Sequence, residues 1–335
     1  MKLLVTGGTG LLGNNILRQL TGDGHRSIAL VRQQPSLSVI DGIDADIAIG
    51  DVLASDVIDQ AVATSDGVIH SAGLIHLGWH RRDESMTVNQ SGTKVLAEAC
   101  RRHSKRLILV GTVNTLALGT KHDPADEQTA LASRPQQVMC SYVSSKRAGV
   151  DVVRDMVTRG LSALVVHPGF MLGPWDWKPS SGRMITEVAK AYRPIAPSGG
   201  CSVCDVRDVA RATINAVTAD VPNGREFILA GENWSYKELW SKIALLVGRR
   251  PPLMAAGPLQ RVIAGIAGDV QTKFMAGESD FNSAAVRMSS QFHYYNSSRA
   301  RRELDYQCRS ADDSLRDAVA WLRENELLPP RPDNQ

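Results

Sequence analysis

The residues best suited to chemistry are Tyr142 and Lys146 in the run Tyr142-Val143-Ser144-Ser145-Lys146. Four positions apart on a helix, they share one face. A phenol ionises near pH about 10 and is a poor acid or base at neutrality. A neighbouring ammonium stabilises the phenolate and is expected to lower that value. The pair could therefore move a proton. On a surface helix the same spacing would mean nothing, so its value depends on what the chain sets beside it.

A second pattern supplies that context. Thr6-Gly7-Gly8-Thr9-Gly10-Leu11-Leu12-Gly13 follows the apolar run Lys2–Val5 and precedes Asn14 to Leu20, where Ile16, Leu17 and Leu20 have helical spacing. Gly8, Gly10 and Gly13 fit Gly-x-Gly-x-x-Gly; Gly7, Gly10 and Gly13 fit Thr-Gly-x-x-Gly-x-x-Gly. Strand, glycine turn and helix together signal dinucleotide binding. The glycines let the backbone approach a pyrophosphate, which the free N–H groups of the helix start then hold. The second strand ends in Leu30-Val31-Arg32, with no acidic residue before Asp41. An acid there would select NAD through the ribose hydroxyl, whereas Arg32 can pair with a 2′-phosphate, so NADP is expected over NAD. Asp51 follows the third strand and can cap the helix expected after it.

These motifs resemble those of the short-chain dehydrogenase/reductase superfamily, in its extended branch of the NAD-dependent epimerase/dehydratase type. Further matches are His70-Ser71-Ala72-Gly73, Pro168-Gly169-x-x-x-Gly173-Pro174, Cys204-Asp205-Val206-Arg207-Asp208-Val209-Ala210 and the closing segment Tyr295 to Tyr306. The likeness spans nearly the whole chain and is nearest to the dihydroflavonol-reductase-like subgroup, which also holds hydroxysteroid dehydrogenases and sugar epimerases. It implies Tyr142 as general acid/base and Lys146 as its tuner and cofactor anchor. It implies a cofactor site of Gly7, Gly10, Leu11, Leu12, Gly13, Arg32, Asp51, Val52, Ser71, Ala72, Gly73, Tyr142, Lys146 and Pro168, with Asp51 on the adenine amino group. The family has Ser-Ser after its fifth strand. This chain has Gly111-Thr112, which puts Thr112 at the catalytic hydroxyl, with Thr115 as fallback and Asn114 as an assistant. Asp208 is expected to cap a helix, and His70 to order its turn.

The elements that must position these residues alternate. Strands are expected at Lys2–Val5, Ser27–Val31, Asp46–Ile49, Gly67–His70, Arg106–Val110 and Ala163–His167, with 227–229 as a seventh. Helical patterns include 85–103 and 142–159, and later 236–247 and about 312–326. This order predicts an α/β Rossmann-type fold, a doubly wound parallel sheet with a smaller C-terminal substrate-binding subdomain. Residues 1–172, with return segments near 203–230, would form the NADP-binding domain. Residues 173–202 and 231–335 would form the substrate-binding subdomain and C-terminal helix, closing over the carboxyl ends of the strands. Ile75, His76, His80, Cys140, Phe170 and Trp175 are expected to line the substrate pocket.

The chain has 335 residues, 43% of them hydrophobic, which excludes a disordered chain. A net charge of +3 is too mild to imply nucleic acid. No apolar run nears the roughly 20 residues of a membrane span, so no membrane contact is expected. Five cysteines suit a reducing cytoplasm, and Cys201-x-x-Cys204 lacks a second ligand pair, so no metal is expected. A homodimer through the 85–103 and 142–159 helices would fit the resemblance. The leading expectation is an NADP-dependent oxidoreductase that reduces a small-molecule carbonyl to an alcohol. The alternatives are a nucleotide-sugar epimerase or dehydratase with retained NAD, needing cations such as Arg183, Arg193, Arg207 or Arg287, and a non-catalytic NADP-binding sensor.

Overall fold

Seven parallel strands form the centre of the molecule in a computed structural model that describes residues 1–132, 138–274 and 282–330. They are β1 (Lys2–Thr6), β2 (Arg26–Val31), β3 (Asp46–Ile49), β4 (Gly67–His70), β5 (Arg106–Val110), β6 (Ala163–Pro168) and a seventh at Glu226–Leu229. Their order across the sheet is seventh, β6, β5, β4, β1, β2, β3. Most of these strands are buried on both faces, which explains their near-continuous apolar runs. Leu3, Val5, Ile108 and Val110 point to one face, where helices Leu11–Gly22 and Val206–Thr218 cover them. Leu4, Val68, Leu107 and Leu109 point to the other, under Ser55–Ala63, Gly92–Arg102 and Ser141–Thr158. The winding reverses between β1 and β4, and the crevice at such a reversal is where α/β sheets take ligands.

The 85–103 pattern is a composite. It begins as Arg82–Met86, widens to a π turn at Thr87–Ser91 and resumes as Gly92–Arg102. A π turn lodges one extra residue in a helix. Here it aims Asn89 inward, while Gly149 lets the Ser141–Thr158 helix approach so closely that a Cβ would sit 2.5 Å from the Asn89 carbonyl.

Sequence reasoning missed most of the second layer. Gly200–Asp205 is the central strand of a small sheet, flanked by Phe170–Leu172, Glu232–Ser235 and Phe292–His293. Helices Arg183–Lys190 and Pro258–Phe274 were also unforeseen. Two capping expectations are corrected. Asp205, not Asp208, caps Val206–Thr218 by accepting from the Arg207 N–H at 2.8 Å. Asp208 instead binds Arg309. The helix after β3 starts at Ser55, so the Asp51 carboxylate lies too early to cap it and accepts from the Leu53 N–H at 3.1 Å.

Candidate active site

A cavity of about 430 Å³ opens at the carboxyl edge of β1, β2, β4 and β5. Gly7, Gly10, Leu11, Leu12 and Gly13 line it, as do Arg32, Asp51, Val52, Ser71, Ala72, Gly73, Ile75, Tyr142 and Lys146. Gly7 has φ +75°, and a Cβ there would meet Ala72 N at 2.8 Å. A Cβ on Gly13 would collide with the Gly7 carbonyl. Only glycine satisfies both positions. The result is a shallow backbone cradle before the N-terminus of a 12-residue helix, a shape and polarity that fit a pyrophosphate.

Tyr142 and Lys146 share the inner face of Ser141–Thr158, and both are buried. Thr112, which follows the end of β5, reaches the Tyr142 hydroxyl with its side chain. Burial pushes the Tyr142 phenol up to about 12, against the Thr112 hydrogen bond that lowers it. Burial lowers the Lys146 ammonium to about 8. Lys146 Nζ donates to the Val110 carbonyl at 2.6 Å. The expected lowering of the phenol by the lysine is therefore absent: desolvation dominates, and Tyr142 is a protonated phenol at neutral pH. Thr115 turns its hydroxyl away, donating to the Thr112 carbonyl at 2.8 Å.

Several further groups brace this geometry. Asn89 Oδ1 accepts from the Leu74 N–H at 2.8 Å, while its Nδ2 donates to the Leu74 carbonyl and to Ser145 Oγ, both at 2.9 Å. Loop 71–75 and the Ser141–Thr158 helix are thereby tied together. His70 is buried between Thr6 Oγ1 at 2.7 Å and Thr93 Oγ1 at 3.1 Å. Desolvation, aided by the Lys146 charge, lowers it to about 3, so it is neutral. Beneath Thr112, His167 Nε2 donates to Glu226 Oε2 at 2.7 Å, and His167 Nδ1 lies 3.3 Å from the Thr112 carbonyl. Arg154 Nε donates to Glu226 Oε1 at 2.7 Å. Burial raises the Glu226 carboxyl, but His167 and Arg154 outweigh it and hold it at about 2.

Of the residues expected in the substrate pocket, Ile75 lies on the cavity wall and is 58% exposed. His76 and His80 follow it on the same loop, where the His76 carbonyl accepts from the Tyr142 N–H at 3.2 Å. Cys140 is fully buried, its thiol 3.7 Å from Met288 Sδ. Phe170 and Trp175 pack into the second layer, where Trp175 meets Trp177, Trp321 and the Arg18 guanidinium, the last at 3.3 Å. Pro168, expected in the cofactor site, ends β6 and does not line the cavity, whereas Met171 does.

The sequence reading missed Lys178 and Ser180, which line the same cavity. They stand on a loop from Gly173 to Gly182. Asn15 on the first helix donates to the Pro174 carbonyl at 3.0 Å, and Asp176 accepts from Gly182 N at 2.9 Å and Ser180 N at 3.1 Å. The run Pro179-Ser180-Ser181-Gly182 after Asp176 is a legible loop signal. Cys201 and Cys204 are buried free thiols, and burial raises both.

The family model described as "NAD dependent epimerase/dehydratase family" matches residues 3–230. The chain is 29% identical over 332 residues to "Sterol demethylase protein B" of Methylococcus capsulatus, covering 98% of this chain and all (100%) of that one. It is 28% identical over 336 residues to a "Putative dihydroflavonol 4-reductase" of Synechocystis, covering 96% and 94%. The crystal structure of gox2253 superposes with a TM-score of 0.82 at 28% identity, over 98% of this chain and 99% of that one. With the glycine cradle at the first helix and the Tyr142–Lys146 face in one cavity, the chain belongs to the NAD dependent epimerase/dehydratase family, enzymes of the extended short-chain dehydrogenase/reductase type.

Proposed function

We propose that this enzyme reduces a carbonyl on an apolar small molecule with NADPH. The observation that carries the reading is the protonated Tyr142 phenol, hydrogen-bonded to Thr112 and one turn from Lys146, inside the cavity that holds the glycine cradle. When bound, the reduced nicotinamide supplies the hydride. Tyr142 Oη and Thr112 Oγ1 hold the carbonyl oxygen between them, and the phenol gives its proton as negative charge develops there. Lys146 would face the cofactor ribose, and its ammonium steadies the phenolate left behind.

Arg32 on the rim supports NADP, since a guanidinium pairs two-pronged with a 2′-phosphate. Lys178, on the same wall as the cradle, supplies a mobile cation for the pyrophosphate. The reductase name of one full-length relative, the putative dihydroflavonol 4-reductase, favours net reduction. The family description keeps a second reading open, epimerisation or dehydration of a nucleotide sugar. Two cations that such a diphosphate would need are already held, Arg193 by Glu187 and Arg207 by Asp205 and Asp317. The test is NADPH oxidation against a panel of aldehydes and ketones. Tyr142→Phe should keep dinucleotide affinity and lose at least about 100-fold in turnover. Retained turnover in that variant sinks the mechanism. Tightly held NAD without net oxidation would favour the second reading.

A further inference from the structure

The helix Pro258–Phe274 is built inside out. Leu259, Val262, Ile263, Ile266 and Val270 are 70, 58, 58, 59 and 46% exposed. At 100° per residue they fall within an arc of about 100°, a single apolar stripe. Two charged residues of the same stretch are turned away from it: Arg261 is half-buried, and Asp269 accepts from the Ser283 N–H at 2.9 Å. Ordinary surface helices turn charge outward, so this face is made for an apolar medium.

The stripe leads to the active site. Gly265 packs on Ser283, and the short helix Ser283–Met288 lies beneath it. Asn282 binds the Leu77 carbonyl at 2.9 Å, and Trp79 Nε1 donates to Ser283 Oγ at 2.9 Å. Ala284 and Met288 pack against Cys140 and Tyr142. Around that junction Ile75, Leu77, Trp79 and Met139 are 58, 39, 39 and 41% exposed.

We propose that this helix docks on an anionic bilayer surface and presents the mouth beside Ile75 to a lipid-borne carbonyl substrate, a refinement that rests on the reductase reading. Two observations favour a bilayer over a second copy of the chain. The stripe is a row of five side chains on one helix, far short of the roughly 20–30 residues a side of a stable protein interface, whereas an interfacial helix needs no complementary surface. Exposed cations flank it, with Arg250 before the helix and Arg287 after it, the latter 5.9 Å from the Trp79 ring. These suit anionic head groups. The expectation of no membrane contact rested on the lack of a spanning run. No helix among the described residues is long and apolar enough to cross a membrane, and lying on the surface requires none.

The test is flotation of the full chain with vesicles of phosphatidylcholine containing phosphatidylglycerol, beside gel filtration without lipid. The wild type should float, more weakly when phosphatidylglycerol is omitted. The double variant Val262→Gln/Ile266→Gln should partition about tenfold less. It should keep NADPH turnover of a short water-soluble aldehyde while losing turnover of a long-chain ketone held in vesicles. A wild type that stays at the bottom, or a double variant that floats equally, overturns the proposal. So does a dimer that the double variant dissociates, since the stripe would then face a second copy. Failure of the reductase reading registers separately, as absence of NADPH turnover with every carbonyl.

Discussion

Lys146 holds a buried charge that folding disfavours. Its ammonium is buried and hydrogen-bonded to one carbonyl, and burial lowers it to about 8 from an ordinary 10.5. The charged form is thus disfavoured by folding. Below pH 8 the folded protein carries this penalty in full. As pH rises from 8 towards 10 the folded state sheds the proton while the unfolded chain keeps it, and stability rises. Replacing Lys146 with Met should therefore stabilise the cofactor-free protein at pH 7 by up to about 3 kcal/mol and flatten the rise between pH 8 and 10, read by urea unfolding. The same variant should bind NADPH more weakly and turn over poorly. A destabilised variant at pH 7 would contradict the account. Tyr142 and Lys146 were legible in the sequence because a four-residue spacing is a local property. Their protonation was not, because it depends on burial by segments far along the chain. The single substitute Thr112 was legible by its place after β5, yet its link to Tyr142 needed three dimensions.

At the scale of elements, the brace under Thr112 joins three pieces of secondary structure: β6 through His167, the strand Glu226–Leu229 through Glu226, and Ser141–Thr158 through Arg154. Glu226 ionises at about 2 in the folded state against an ordinary 4.5. Its contribution is present above pH 4.5 and is lost as pH falls towards 2, worth about 3 kcal/mol at neutrality. Glu226→Gln should cost about 2–4 kcal/mol in urea unfolding at pH 7 and remove that part of the acid sensitivity. Turnover should fall with little change in dinucleotide affinity, because Thr112 moves and the glycine cradle does not. No motif pointed to this brace, since its outer residues, Arg154 and Glu226, lie 72 positions apart in the chain. The parallel strands, by contrast, were readable to within a residue or two from their apolar runs. The small second sheet was not: Gly200-Cys201-Ser202-Val203-Cys204-Asp205 is wholly buried and has no alternation to read. The Gly173–Gly182 loop makes its own prediction. Lys178→Ala should raise the dissociation constant for NADPH by about tenfold, an ion-pair-sized effect, and reduce its salt dependence. Unchanged binding, measured by calorimetry at two ionic strengths, would remove Lys178 from the site.

Across the whole molecule, a cofactor that binds only the folded state should raise thermal stability by about 2.7 kcal/mol at one hundred times its dissociation constant. NADPH should outperform NADH in a melting scan at equal concentration, and Arg32→Ala should erase the difference. A larger shift with NADH would reverse the assignment of Arg32. The first helix, which carries the phosphate cradle, is covered chiefly by chain made much later. Its apolar face, Leu12, Ile16, Leu17 and Leu20, lies in one core with the helix Val206–Thr218. Gln19 donates to the Arg207 carbonyl, Asp23 pairs with Arg211, and Trp175 lies over Arg18. On a ribosome adding 5–20 residues per second, that cover arrives roughly 10–40 s after the helix emerges. During this interval the nascent chain presents a bare row of leucines and isoleucine, a natural target for a chaperone, and a truncated product ending before residue 206 would never hide it.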